Sequence, residues 1–434
     1  MTNCKLKVLL VSRNAWDDKK GNTHSVFFEN FSKDELAQIY CRAEIPDTDL
    51  CDNFFHISER QLVKSIFSSN IAGRRVYNRD VDSCNSELAH ANSEKKVYDL
   101  FRNYRFTLLL WIRELIWLFG KWKSKELERF ILDFKPDIIY SDAYDTFYTY
   151  RVLKYAVKIA KVPYVLFHCD DQASYNQFSL NPLYWINRFM LRKHLRQAIN
   201  RAAINYCIID RQKEVYTSIF RKEFKILNKW ADFGGSFTNY KPNKPLRLIY
   251  AGNLYHGRWK TLISIAKAIK RINENSTQVI LDIYTGNTLS NKMLDKFNIS
   301  KEVRVLGYLP YNDLLEEQTK ADILLHVESF QLKEKLITHL SFSTKIVDFF
   351  ALGKCILAIG WEKSGPIHYL DKHEAGITIT KLADIEGKLT QIIENPKLLN
   401  SYASNAYRLG VKYHNKANQQ HQFRQDLIDL AFCK

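Results

Sequence analysis

Short apolar runs alternate with longer amphipathic stretches along most of the chain, a spacing that predicts parallel strands joined by crossover helices. Lys7–Val11 reads as a buried strand, Ser12–His24 as a polar loop, Ser25–Leu36 as an amphipathic helix and Gln38–Arg42 as a second strand. Ser58–His90 is polar and weakly patterned, helix and loop. Tyr98–Lys123 predicts a long helix carrying aromatic and aliphatic residues over much of its surface, and Lys125–Phe134 another. The alternation then sharpens into strand Pro136–Tyr140, helix Asp142–Ala160, strand Pro163–His168, helix Asn187–Ala202 and strand Ala203–Ile209. Glycine, proline and polar residues in Ala231–Pro245 read as a linker, after which the pattern restarts. Strands are predicted at Leu246–Tyr250, Val279–Tyr284, Val303–Leu306, Ile323–His326, Cys355–Ile359 and Gly376–Ile379. Between them lie helices Arg258–Arg271, Leu289–Phe297, Tyr311–Thr319, Ser343–Ala351 and a stub at Ile367–Leu370. Helices Leu382–Glu394, Pro396–Leu409 and Asn415–Leu430 close the chain. The expected division is 1–235, 246–414 and a final helix, 415–434, that returns to the first domain.

At roughly 100–200 residues per domain, 434 residues agree with that division. The net charge of +17 calls for an anionic partner: nucleic acid, an acidic membrane surface or a phosphorylated substrate. The cations are spread along the chain, and neither zinc-finger spacing nor an RNP-type signature is present, so nucleic acid ranks last. Eight scattered cysteines without a C-x-x-C pair read as free thiols of a reducing compartment, hence a cytoplasmic protein without a structural metal. Lys5–Ser12 reads as a strand, not a signal core. Thr107–Gly120 is interrupted by Arg113 and Glu114 and falls short of the ~20 apolar residues of a membrane span. Tyr104–Lys123 nonetheless pairs Trp111, Trp117, Phe119 and Trp122 with Arg102, Arg105, Lys121, Lys123 and Lys125. It is either a helix lying in an anionic membrane interface, on the inner face of the membrane, or a core helix.

The chemistry concentrates in the second half. Ser343-Thr344-Lys345 opens a short helix that puts Lys345 and Asp348 one turn apart, ends at Gly353 and hands over to a buried strand. Free amides and a cation at a helix start suit phosphate, and a carboxylate on the same face suits ribose hydroxyls. Gly252-Asn253, with Arg258 and Lys260 following, lets a ligand approach the backbone and meet a cation. Thr285-Gly286-Asn287 and Gly307-Tyr308-Leu309-Pro310 stand at the carboxyl ends of predicted strands, where doubly wound sheets bind ligands. Each alone also reads as an ordinary turn with surface cations or a packed tyrosine; their order and spacing make the set specific.

The set resembles the nucleotide-sugar-dependent glycosyltransferases of the GT-B fold, group 1 (family 4-like). Ser343–Lys354 is similar to their S/P-x-K-x-x-E/D-Y/F-x-A-x-G-K-P segment, and Tyr250–Lys260, with a slight departure in spacing, to their G-x-L-x-x-x-K/R-G segment. The resemblance implies an α/β protein with two Rossmann-like doubly wound parallel-sheet domains facing a central cleft. It implies transfer of a sugar from a nucleotide-sugar donor to a glycan or lipid-linked saccharide in surface polysaccharide biosynthesis, with retention of configuration. By the same resemblance Gly252, Asn253, Arg258, Lys260, Gly286, Tyr308, Ser343, Thr344, Lys345 and Asp348 bind the donor, Tyr308 against the base. His168, Asp170 or Asp171 takes the catalytic place facing sugar and acceptor, and Gly21, Asn22 and His24 form the first loop over acceptor or diphosphate. One departure stands out: many members carry two glutamates eight positions apart, and Leu340 occupies the first of these positions; Glu328 lies too far upstream to substitute by spacing, though Glu328 and His339 could face the donor sugar. Asp47-Thr48-Asp49 matches the D-x-D metal motif of the other main glycosyltransferase fold only as a chance triplet. No metal and no cofactor is expected. Two rivals are a nucleotide-sugar epimerase on the same fold and a non-catalytic anion- or membrane-binding protein.

Overall fold

The computed structural model describes residues 5–18, 23–77 and 107–432. Two compact units divide the chain. The first comprises Met1–Tyr175, Ser179–Leu227 and Gln420–Lys434; the second comprises Asn176–Phe178 and Asn228–Gln419.

The sheet of the first unit contains β1 (Val8–Val11), β2 (Leu36–Tyr40), β3 (Asn53–His56), β4 (Arg74–Tyr77), β5 (Ile138–Asp142), β6 (Tyr164–His168), β7 (Ile204–Cys207) and β8 (Lys225–Ile226). Their order is β4-β3-β2-β1-β5-β6-β7-β8, parallel throughout except for β3 against β4. The second sheet contains β9 (Leu246–Ala251), β10 (Val279–Tyr284), β11 (Val303–Gly307), β12 (Ile323–Val327), β13 (Cys355–Ile359) and β14 (Ile377–Ile379), in the order β11-β10-β9-β12-β13-β14 and wholly parallel. Each is a Rossmann-like doubly wound sheet. Helices cover both faces, so strands such as Val8–Val11 and Cys355–Ile359 are buried at every residue. In the second unit the chain runs outward from β9 to β11 and returns beside β9 as β12. The carboxyl ends of β9 and β12 therefore flank a topological switch point, where this architecture leaves room for a ligand.

Several expectations change. The helix expected over Ser25–Leu36 is α-helical only at Thr23–Phe28, with a separate 3-10 turn at Lys33–Glu35. Glu35 reaches back to the Ser32 amide at 2.8 Å and receives the Leu6 amide at 3.0 Å, and Leu36 enters β2 beside Val8. Tyr98–Lys123 is described as helix over Thr107–Phe119 and stops before Gly120; its start lies outside the described residues. Asn187–Ala202 begins earlier, at Pro182, because Asn181 caps the Leu183 amide and proline suits the first helical turn. Ala231–Pro245 is no free linker. Phe233 packs on Tyr407, the Tyr240 hydroxyl donates to the Asp322 carbonyl at 2.7 Å, and Asn243 hydrogen-bonds the Asp322 carboxylate, all within the second unit.

The last helix, Lys416–Phe432, joins the first unit from Gln420 onward. Phe423 is buried against the rings of Phe27, Phe28, Tyr140 and Tyr206. Asp426 accepts from the Tyr206 hydroxyl at 2.8 Å and from Lys225 at 2.9 Å. Phe423→Ala should destabilise the first unit by about 3–5 kcal/mol. Phe432→Ala, at an exposed ring, should stay within about 0.5 kcal/mol; thermal unfolding of the two variants checks both.

Candidate functional site

A cavity of about 110 Å³ opens at the switch point of the second unit. Its wall combines Ala251, Gly252 and Asn253 after β9, Leu325, His326 and Val327 of β12, and Ser343, Lys345 and Phe349 from the helix Lys345–Leu352 and its approach. Arg258, in the first turn of helix Arg258–Ile272, completes it. The Lys345 ammonium donates to the Ala251 carbonyl at 2.9 Å. A side chain at Gly252 would put its Cβ 3.3 Å from the Lys345 Nζ and 3.1 Å from the Tyr250 hydroxyl, so glycine is what lets the ammonium reach the strand end. Gly257 takes φ +74° to start the Arg258 helix, and a Cβ there would lie 2.5 Å from Ser329 Oγ.

The charges are arranged unequally. Arg258 donates to Asn253 Oδ1 at 3.1 Å and to Glu328 Oε1 at 3.3 Å. Burial pushes the Glu328 carboxyl up, but the adjacent His326 ring, 3.2 Å away, and the Arg258 charge outweigh it and hold it below its ordinary value. Lys345 has no carboxylate partner among the described residues. Burial first, then repulsion from Arg258 and Lys229, pulls its ammonium below the ordinary lysine value, against the pull of Asp348. Two cations therefore line the cavity, and of the two only Arg258 is paired with a carboxylate, Glu328.

The motif residues separate on this frame. Gly252, Asn253, Arg258, Ser343 and Lys345 line the same cavity, with Thr344 at the start of the Lys345 helix. Gly286 and Tyr308 adjoin one another at the neighbouring strand ends: a Cβ on Gly286 would meet the Tyr308 ring at 3.6 Å, and that ring is 74% exposed, an open flat face. Lys260 does not join Arg258. It is exposed and lies over the Trp259 ring at 5.4 Å, because two residues along a helix turn the side chain to another face. Asp348 is not free for a ribose as it stands, since Lys229 holds both its oxygens at 2.6 and 2.7 Å. His339 is buried, with Nδ1 2.7 Å from the Leu336 carbonyl.

In the first unit His168 is buried in the core, edge-on to Tyr216 and Phe224, where burial keeps the ring neutral and its pKa at about 3. As placed, it touches no surface. Asp171 is also buried: it accepts from the Ala173 and Ser174 amides and meets Arg188, so it ties its own loop to helix Pro182–Arg201. Asp170 alone of the three is exposed. Gly21 and Asn22 lie outside the described residues. His24 is buried and joined to Asp142 at 2.8 Å, and Asp142 also accepts from Tyr144 at 2.8 Å and Tyr140 at 3.1 Å. Burial raises the Asp142 carboxyl, yet these partners bring it below its usual range. Among the described residues no group of His, Cys, Asp or Glu is placed to hold a metal ion, and the Asp47–Asp49 triplet lies on a bridge from Asp47 to Asp17. No described helix is long and apolar enough to cross a membrane.

Sequence reasoning placed Glu328 only as a residue that could face the sugar, and missed its pairing with Arg258; it also missed Lys229 and Asp142. Asp142 sits at the end of a strand, which was a usable signal. Lys229 precedes the linker-like stretch and carries none.

Residues 236–409 match the family described as glycosyl transferases group 1. No curated protein matches the chain in sequence. Among solved structures, HepE of Anabaena in complex with UDP and glucose is similar, with 13% identity over 97% of this chain and 99% of that one and a TM-score of 0.58. Sucrose-phosphate synthase from Thermosynechococcus elongatus is similar too, with 10% identity, 99% and 100% coverage and a TM-score of 0.61. The pneumococcal O-GlcNAc transferase GtfA in complex with UDP and GlcNAc has 14% identity, 72% and 61% coverage and a TM-score of 0.51. Residues 236–409 thus match the group 1 glycosyltransferase family, and the likeness to these solved structures shows the two Rossmann-like domains of the GT-B fold.

Proposed function

We propose that this protein is a glycosyltransferase that moves a sugar from a nucleoside-diphosphate sugar to a glycan or lipid-linked saccharide acceptor in surface polysaccharide biosynthesis. The single observation that carries the donor reading is Lys345: an ammonium held at the strand end by the Ala251 carbonyl, without a carboxylate partner among the described residues, beside Arg258 in the switch-point cavity. A diphosphate there would meet the two cations at the positive ends of two helices. Negative charge grows on the diphosphate as the glycosidic bond breaks, so fixed cations favour the transition state over the bound donor. Gly286 and the open face of Tyr308 suit the base. Asp348 reaches a ribose only by releasing Lys229. The charges are met by side chains and amides, so no metal or cofactor is proposed. Retention of configuration follows from the family resemblance and is read from the anomeric proton of the product.

The complexes of HepE and GtfA hold UDP, which puts UDP-sugars first in a donor panel. Thermal stabilisation finds the donor before the acceptor is known, because a ligand raises the unfolding midpoint according to its affinity. The close pair of His326 and Glu328 keeps an epimerase as the rival; turnover of the nucleotide sugar without any acceptor would favour it.

Arg258→Met and Lys345→Met should each weaken nucleotide-diphosphate binding about 10- to 100-fold, the effect of losing one charge-assisted hydrogen bond. Lys260→Met should leave it unchanged within about two-fold, since its charge points elsewhere. Calorimetric titration of the three variants decides, and unchanged affinity in the first two would leave an anion-binding protein with a degenerate cavity.

Affinity should also depend on pH in one direction. Phosphate favours the charged form of Lys345, whose pKa is depressed in the free protein. Binding therefore stays level while the lysine is charged, and falls by up to about tenfold per pH unit above that depressed value. Lys345→Arg should remove the fall, because arginine keeps its charge.

A further inference from the structure

Helix Thr107–Phe119 of the first unit is turned inside out. Its only charged residues, Arg113 and Glu114, face inward. Arg113 donates to Glu59 at 2.5 Å and lies over the Tyr148 ring. Glu114 accepts from the Phe147 amide at 2.7 Å and meets Arg151 at 3.3 Å. Trp117 is buried, stacked on Tyr148 at 4.3 Å. The outward residues are apolar: Leu110, Ile112, Leu115, Leu118 and Phe119, of which the last two are 56% and 66% exposed. A helix bounded by water shows the opposite pattern. Trp117 and Trp122, grouped with the apolar surface by sequence alone, belong to the core.

Helix Pro182–Arg201 packs against it, linked by rings: Trp111 lies edge-on to Phe147, which stacks on His194. It too exposes an apolar stripe at helical spacing, Leu183, Ile186 and Phe189, and its exposed side continues as Lys193 and Arg196. The charges around the two helices are segregated. Residues 146–169 and 172–209 contain no Asp or Glu and nine Lys or Arg. Arg151, Lys193 and Lys154 all act on His194, and neither Lys154 nor Lys193 has a carboxylate partner among the described residues. Isolated apolar side chains on a surface need no explanation; two adjacent helices that expose apolar stripes beside unneutralised cations call for a partner that is apolar and anionic together.

We propose that this face docks on an anionic lipid bilayer, with the leucines, isoleucines and phenylalanines entering the boundary between headgroups and acyl chains and Lys154 and Lys193 meeting lipid phosphates. The surface lies wholly in the first unit, so the proposal stands apart from the donor cavity of the second. It adds a place of work to the proposed function, since a lipid-linked acceptor is presented at such a surface.

Flotation of the full chain with vesicles tests it. Wild type should float with phosphatidylcholine vesicles containing phosphatidylglycerol and about 10-fold less with phosphatidylcholine alone, and salt should weaken the difference. Leu115→Glu with Phe119→Glu should cut flotation at least about tenfold. Lys154→Glu with Lys193→Glu should cut binding to the anionic vesicles about 30-fold, through two lost cations, and erase the lipid preference. Unfolding midpoints and stabilisation by UDP, measured on the same samples, should match wild type, which separates this result from any failure of the donor reading. Absence of flotation with anionic vesicles, or equal flotation by both double variants, overturns the proposal. So does a dimer in solution that Leu115→Glu with Phe119→Glu dissociates while wild type ignores vesicles, for then a second copy covers the face.

Discussion

One unbalanced charge organises the second unit. Lys345 is drawn to the end of β9 by the Ala251 carbonyl alone, and a carbonyl does not neutralise an ammonium. Carboxylates stand nearby, but each is engaged: Glu328 with Arg258, Asp348 with Lys229. Partial desolvation and the neighbouring Arg258 and Lys229 charges hold the Lys345 pKa below the ordinary lysine value. In the proposed function a diphosphate would supply the missing charge at the switch point of the doubly wound sheet.

The surroundings serve that charge. A side chain at Gly252 would crowd the Lys345 ammonium and the Tyr250 hydroxyl, and Gly257 takes a left-handed φ of +74° at the start of the Arg258 helix. Glu328 is itself fixed by backbone: its amide donates to the Ile359 carbonyl at 2.8 Å and its carbonyl accepts from Thr261 at 2.8 Å. It therefore steers Arg258 without taking part in the motif. A larger cavity, about 310 Å³, lies in the first unit near Lys7, Leu36 and Asn53, at the amino ends of β1, β2 and β3. Size is a poor guide there, because helix N-termini and loops converge on the other end of a parallel sheet.

The first unit handles its charges in the opposite way. Asp142 is saturated by His24, Tyr140 and Tyr144, and Asp171 by backbone amides and Arg188. Its unneutralised charge lies instead on the outer helices, beside apolar residues that face out. Polar closure inside and apolar exposure outside are what the proposed bilayer contact rests on.

Much of this was legible along the chain. Continuous apolar runs such as Cys355–Ile359 gave the buried parallel strands, and glycines with a following cation marked the strand ends that line the cavity. What failed was direction. Lys260 is two residues from Arg258 and points elsewhere; His168 follows the family pattern yet lies in the core; β3 and β4 hide among charged residues because two strands suffice to bury Phe54 and Phe55 from outside the apolar runs. Sequence periodicity fixes which residues share an element, and so it determined the doubly wound sheets and the place of the donor motif. Pairings across distance, such as Lys229 with Asp348 or Arg113 with Glu59, depend on how separate elements pack, and only the tertiary structure decided which charges are spent and which remain for a ligand or a membrane.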